Sequence, residues 1–207
     1  MGVELKENQA DQLASYGELI EKWNRSVNLV SRADIRRLDA RHLLDSLASR
    51  PFLAGKTLLD VGSGPGLPGI PLAIAMPETT VTLWERMSKR IRFLQMVCRE
   101  LGLQNVRVVE RDMQDTDQAD NTECFDTIVA RAVTPINQLW PLMSARLSPK
   151  GQLIVYSHVI AATDQMARDD VDLRGAAMRK SQSLNLKEVP YTVPGIAATH
   201  YLQMVAK

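Results

Sequence analysis

The chain has 207 residues, 45% of them apolar and 24% charged, with a formal net charge of +1. That length suits one α/β domain with an appendage, and it can bury a sizeable core without metal or disulfide support. The near-neutral balance excludes a chain that is basic throughout, so any polyanion site must be a local patch.

The opening from Met1 to Asp11 is polar and lacks the apolar core of a signal peptide. No apolar run approaches the roughly 18 residues that suggest a membrane span, so a cytoplasmic protein is expected. From residue 9 to 30, Leu13, Tyr16, Leu19, Ile20, Trp23, Val27 and Val30 recur at three- and four-residue steps, which predicts an amphipathic helix. A second helical pattern runs from about 35 to 53 on Leu38, Leu43, Leu44, Leu47 and Ala48, and Pro51 and Gly55 end it. Residues 1–56 therefore read as a helical cap.

From Thr57 onward strands and helices alternate. Strands are predicted at 57–61, 81–85, 106–110, 126–130 and 152–156, and helices at about 67–76, 87–102, 136–147 and 161–174. Pro77, Gly102 and Gly151 punctuate the helix ends. The β-branched runs 81–84 and 106–109 suit buried parallel strands, and the alternation predicts a parallel sheet with helices on both faces. Cys98 and Cys124 stand in no CxxC or Cys/His pattern and are expected to be buried, reduced thiols. The tail breaks the rhythm, because 184–191 and 201–206 read as two strands around Pro194-Gly195 with no helix between them. A hairpin ending a mostly parallel, seven-stranded sheet is characteristic of the class I methyltransferase variant of the doubly wound, Rossmann-like fold. Residues 57–207 are expected to form that unit.

The densest signal is Asp60-Val61-Gly62-Ser63-Gly64-Pro65-Gly66-Leu67-Pro68-Gly69, an apolar strand running into a glycine turn and then a helix. Glycines there let backbone approach a ligand and permit φ > 0 in a sharp turn. Gly64 to Gly69 matches GxGxxG, but Asp60 and Gly62 shift the frame to acid-x-Gly-x-Gly-x-Gly, the pattern of S-adenosylmethionine (AdoMet) sites. AdoMet carries a cationic sulfonium and an α-amino group, which suit an acid and bare carbonyls. Glu85 falls at the end of the second strand, 23 residues beyond Gly62, where a carboxylate can accept both ribose hydroxyls. Asp112 follows the third strand and can take the adenine amino group, with Met113 on the ring; a helix N-cap is its other reading.

With Trp23-Asn24-Arg25, Asn28-Leu29, Arg41-His42-Leu43-Leu44-Asp45-Ser46-Leu47, the run Lys89 to Leu94 and Val129-Ala130-Arg131-Ala132, the chain resembles the bacterial RsmG family, also called GidB. The resemblance covers about residues 10 to 156. It implies methyl transfer from AdoMet to N7 of one guanine in the 530-loop region of 16S rRNA in the small ribosomal subunit. It also implies that Gly62, Leu67, Asp112, Met113 and Arg131 contact the cofactor, with Asp60, Ser63, Gly64 and Gly66 completing the turn. One departure stands out: the family's Lys-Gly pair after the fifth strand is replaced by Tyr156-Ser157-His158, so that either RNA or substrate contact is weakened or His158 replaces the lysine in part at mildly acid pH.

Guanine N7 has a free lone pair, so attack needs positioning rather than a general base. Arg131 is the candidate catalytic residue, shaping the pocket and hydrogen-bonding the guanine carbonyl; a structural salt bridge is the alternative. Its replacement by Ala is expected to abolish methylation and leave folding intact. His42 is expected to be an oriented structural histidine. Ala130-Arg131-Ala132-Val133 stands where amino-methylating enzymes often carry Asp/Asn-Pro-Pro-Tyr/Phe, which argues against exocyclic adenine as the target. RNA contact requires a basic face, and residues 22–50 hold seven cationic residues against three acids. Arg25, Arg32, Arg36, Arg37 and Arg41, with Lys89, Arg90, Arg92 and His158, are the candidate RNA contacts. The expected protein is a monomer that needs neither metal nor membrane. A small-molecule methyltransferase and a non-catalytic ribosome-assembly factor are the competing readings, while Asp60 and the terminal hairpin disfavour a dinucleotide oxidoreductase.

Overall fold

In a computed structural model, described for residues 4–31, 35, 38–115, 123–158 and 184–207, seven strands form one sheet. They are β1 (Thr57–Val61), β2 (Thr80–Glu85), β3 (Val106–Glu110), β4 (Phe125–Arg131), β5 (Leu147–His158), β6 (Leu186–Tyr191) and β7 (His200–Ala206). The spatial order is β3-β2-β1-β4-β5-β7-β6. β1 to β5 run parallel, while β7 lies antiparallel to β5 and β6 antiparallel to β7. The α-helices are α1 (Glu7–Asn24), α2 (Gly69–Ala75), α3 (Ser88–Glu100) and α4 (Ile136–Met143).

Strand alternation splits the core between the two faces of the sheet. Leu58, Leu83, Val129 and Ile154 pack with Tyr16 and Ile20 of α1, Ile70 of α2 and Phe93 of α3. Leu59, Trp84, Ile128 and Leu153 pack with Ile136 and Leu139 of α4. The strand order reverses between β1 and β4. The chain leaves β1 toward β2 and leaves β4 toward β5, so the loops at their carboxyl ends diverge and open a crevice.

The alternating core and the terminal hairpin match the sequence-based expectation; several boundaries do not. α1 stops at Asn24 rather than continuing to 30, because the Asn24 side-chain oxygen accepts the N–H groups of Leu29 and Val30 at 2.8 and 3.0 Å and folds the chain back. The pattern over 35–53 is not one regular helix. Residues Asp39–Leu44 make a π-helical turn and Leu47–Phe52 a 3-10 turn that contains Pro51. α4 is shorter than expected, ending at Met143 before a 3-10 turn over Ser144–Arg146. Gly151 lies within β5 instead of ending a helix, and a Cβ there would stand 2.8 Å from the Phe125 carbonyl oxygen. β3 is an edge strand and only half-buried, since it has one neighbour. Cys98 is half-buried and Cys124 is exposed, contrary to the expectation of two buried thiols. The helix expected at 161–174 lies outside the described residues.

Candidate functional site

At the reversal point a cavity of about 350 Å³ opens between the glycine turn and the loop leaving β4. That volume is in the range of small-molecule sites. Gly62, Ser63, Gly64, Pro65 and Leu67 form one wall, Arg131 and Ala132 the other, and Leu29, Val30, Ser31, His42 and Arg90 complete it. The Asn24 turn brings residues 29–31 here, so the Trp23-Asn24-Arg25 and Asn28-Leu29 motifs shape the site through the backbone.

The turn is built for close approach. Gly62, Gly64 and Gly66 have φ of 67°, 59° and 102°. A Cβ on Gly66 would fall 2.5 Å from Ile70 and 2.8 Å from Leu94, whereas one on Gly64 would meet nothing nearer than 3.9 Å. Gly66 is thus required by packing, and Gly64 keeps the cavity side bare. From beneath, the buried Tyr16 hydroxyl of α1 donates to the Pro65 carbonyl at 2.7 Å. Ser63 donates from its hydroxyl to the Asp60 carbonyl at 3.0 Å and from its N–H to the Trp84 carbonyl at 2.9 Å.

Two buried acids brace this turn. Asp60 is fully buried; its Oδ2 accepts the Gly69 N–H at 2.9 Å, and its Oδ1 has no hydrogen-bond partner. Burial pushes its carboxyl up to about 7, against the lowering effects of the Gly69 N–H and the Arg131 charge. Glu85 closes β2, and its Oε2 accepts the Gly64 N–H at 2.9 Å while Oε1 accepts the Met87 N–H at 2.8 Å. Arg90 Nη1 stands 3.8 Å from the same Oε2. Arg90 therefore belongs to the cavity wall, apart from its exposed neighbours Lys89 and Arg92. Asp112 lies beyond the lining residues, where its Oδ1 accepts the Gln114 N–H at 3.0 Å and Arg86 approaches Oδ2 at 3.6 Å. It caps a turn, and no helix follows it directly among the described residues, so the helix N-cap reading does not hold. Met113 is half-buried against the core on the Leu59 and Trp84 face of the sheet.

Arg131 ends β4, and Ala132 after it has φ 56°, a left-handed conformation uncommon outside glycine. The guanidinium is 8% exposed, and Nη1 donates to Asp45 Oδ2 at 3.1 Å. Nη1 also donates to the His42 carbonyl at 3.4 Å, and Nη2 faces His42 Nδ1 at 3.2 Å. A guanidinium only donates, so Nδ1 is the acceptor and His42 is held as the neutral Nε2–H form. On the far side of Asp45, Oδ1 accepts the Tyr191 hydroxyl at 2.7 Å and His200 Nδ1 at 2.9 Å. Arg131 makes the buried ion pair of its alternative reading and also lines the cavity. Tyr191 and His200 were not singled out from the sequence; the Asp45 carboxylate inside the Arg-His-x-x-Asp-Ser motif was the available signal. Among the candidate RNA contacts, Arg25 is exposed. Arg32, Arg36 and Arg37 lie outside the described residues, and for Arg41 and His158 only the backbone is described. Among the described residues no helix is long and apolar enough to cross a membrane.

Known proteins match this chain closely. The family model "rRNA small subunit methyltransferase G" (GidB) matches residues 9–188. A ribosomal RNA small subunit methyltransferase G from Alteromonas mediterranea is 35% identical over 208 residues, covering 100% of this chain and 92% of that protein. One from Shigella flexneri is 40% identical over 138 residues, covering 67% of this chain and 65% of that protein. The O-methyltransferase TomG from Streptomyces achromogenes, solved in complex with SAM, superposes with a TM-score of 0.62 at 16% identity, covering 99% and 92% of the two chains. That last likeness bears on the fold alone. With the family's own model running from α1 through the glycine turn to the start of β6, this chain belongs to the rRNA small subunit methyltransferase G family.

Proposed function

We propose that this chain transfers a methyl group from AdoMet to N7 of a guanine in the 530-loop region of 16S rRNA. The reading rests on one observation above the rest: the bare Gly62–Gly66 turn and the Arg131 guanidinium face each other across one cavity at the reversal point of the sheet. AdoMet, when bound, supplies an electrophilic methyl group. Gly62, Ser63, Gly64, Gly66 and Leu67 cradle it, and the unpartnered Asp60 Oδ1 offers a counter-charge to its cationic groups. Each Glu85 oxygen already accepts one N–H and keeps a second lone pair for a ribose hydroxyl. Asp112 and Met113 hold the adenine.

Guanine N7 needs no deprotonation, which agrees with a site whose nearest histidine already turns Nδ1 toward Arg131. Three N–H groups of Arg131 are taken up by Asp45 and His42 among the described residues; the remaining donors serve the guanine carbonyl. Arg25, Lys89 and Arg92 contact RNA phosphates, and Arg90 adds a cation from the cavity wall; Arg32, Arg36, Arg37, Arg41 and His158 are the further contacts proposed from the sequence. We take residues 1–56 as the cap and 57–207 as the transferase unit of a cytoplasmic monomer that acts on the small subunit without a metal.

Incubation with methyl-labelled AdoMet and small subunits lacking the modification tests this. One methyl per subunit, recovered as 7-methylguanosine from the 530-loop region, is expected. Label on another base or atom overturns the target. AdoMet binding without incorporation moves the reading to a non-catalytic RNA-binding factor.

A further inference from the structure

We propose that the terminal hairpin β6–β7 is a working part of the site: Tyr191 and His200 hold the Asp45 carboxylate, and through it they position Arg131. The inference rests on the reading of Arg131 as a cofactor- and guanine-facing group. Tyr191 and His200 are register partners on the hairpin, and both converge on Asp45 Oδ1, at 2.7 and 2.9 Å. The opposite oxygen, Oδ2, takes the Arg131 guanidinium at 3.1 Å. Asp45, Tyr191 and His200 are buried, so losing one donor leaves the carboxylate under-satisfied and shifts it toward its remaining partners.

The arginine is held against strain. Ala132 in a left-handed conformation turns the chain sharply after Arg131, a conformation that persists only where surrounding contacts over-determine it. Asp45 and His42 supply two of those contacts from the cap, and the hairpin fixes Asp45 from the other edge. Tyr191, His200 and Asp45 are therefore positioning residues. None of the three lines the cavity.

A double-mutant cycle in AdoMet affinity, read by calorimetry without RNA, tests this apart from the methylation target. Tyr191→Phe keeps the ring and removes the hydroxyl donor; Arg131→Gln keeps a planar donor for Asp45 and removes the guanidinium. Tyr191→Phe is expected to weaken AdoMet binding about three- to tenfold in the parent and to leave it unchanged in the Arg131→Gln background. Equal weakening in both backgrounds makes the hairpin a general scaffold and overturns the inference. No weakening in the parent, while Arg131→Gln does weaken binding, also overturns it. If Arg131→Gln binds AdoMet as the parent does, the reading of Arg131 falls and takes this inference with it. Should Tyr191→Phe fail to melt cooperatively, His200→Gln carries the same cycle.

Discussion

Asp45 and Arg131 form a buried ion pair, Oδ2 to Nη1 at 3.1 Å, that joins the cap to the carboxyl end of β4. The pair is closed on the arginine side by His42 and on the acid side by Tyr191 and His200. Three segments far apart in the chain thus share one charge network at the edge of the cavity.

Arg131→Ala, which the sequence alone suggests leaves folding intact, is expected to weaken the fold. Removing the guanidinium leaves the buried Asp45 carboxylate without its arginine partner, held by the Tyr191 hydroxyl and His200, a change that costs about 3–5 kcal/mol. A melting temperature lowered by roughly 10 °C is expected by calorimetry. Arg131→Lys keeps the charge but cannot span both Asp45 and His42, so it should melt closer to the parent while losing most methyl transfer. A Lys variant with parental turnover would remove the guanidinium fork from the chemistry.

If Asp60 faces the cofactor as proposed, AdoMet binding is expected to depend on pH. Its folded-state pKa is raised from 3.8 to about 7, so without ligand the folded chain binds the extra proton across that window. Stability of the free protein then falls as pH rises through it, because the unfolded chain ionises first. A cationic ligand beside Asp60 favours the ionised carboxylate, so binding tightens from pH 5.5 to 7 and releases a proton. Titrations in buffers of different ionisation enthalpy measure that release. Asp60→Asn should flatten both profiles; an unchanged slope would place the titration elsewhere.

Two glycines of the turn separate folding from binding. Gly66→Ala drives a Cβ into Ile70 and Leu94 at φ 102° and should destabilise the chain by roughly 2–5 kcal/mol. Gly64→Ala adds a Cβ that makes only ordinary contacts, 3.9 Å from the Gly62 carbonyl oxygen, at φ 59°, and costs about 1–2 kcal/mol of strain. Its larger effect should be on AdoMet affinity, read at a temperature where both variants are folded. Equal affinities for parent and Gly64→Ala would show that the bare face is not where the cofactor sits.

The thiols should separate by reactivity. Burial pushes Cys98 up to about 11, so at pH 8 only about one part in a thousand is thiolate, while Cys124 is exposed. Peptide mapping after brief iodoacetamide treatment should find label on Cys124 and little on Cys98. Comparable labelling of both would show that α3 opens far more readily than its packing implies.

Local patterns announced most of the fold. Short β-branched and apolar runs with glycine and proline punctuation located β1 to β5 and the terminal hairpin, because strand preference and a turn's stereochemistry are written in adjacent residues. Helix ends were less legible. The end of α1 depends on a side-chain capture by Asn24, and the π-helical turn over Asp39–Leu44 has no periodic signature of its own.

The amino-acid order by itself determined the glycine turn, the acids at the ends of β1 and β2, and the alternation that builds a parallel sheet, since each follows from residues a few positions apart. Only the tertiary structure decided what Arg131 touches. Its partner Asp45 lies 86 residues away, and the donors that hold Asp45 lie 146 and 155 residues away. Contacts of that span come from the order in which strands assemble and from the need to satisfy a charge once it is buried, and neither leaves a local trace.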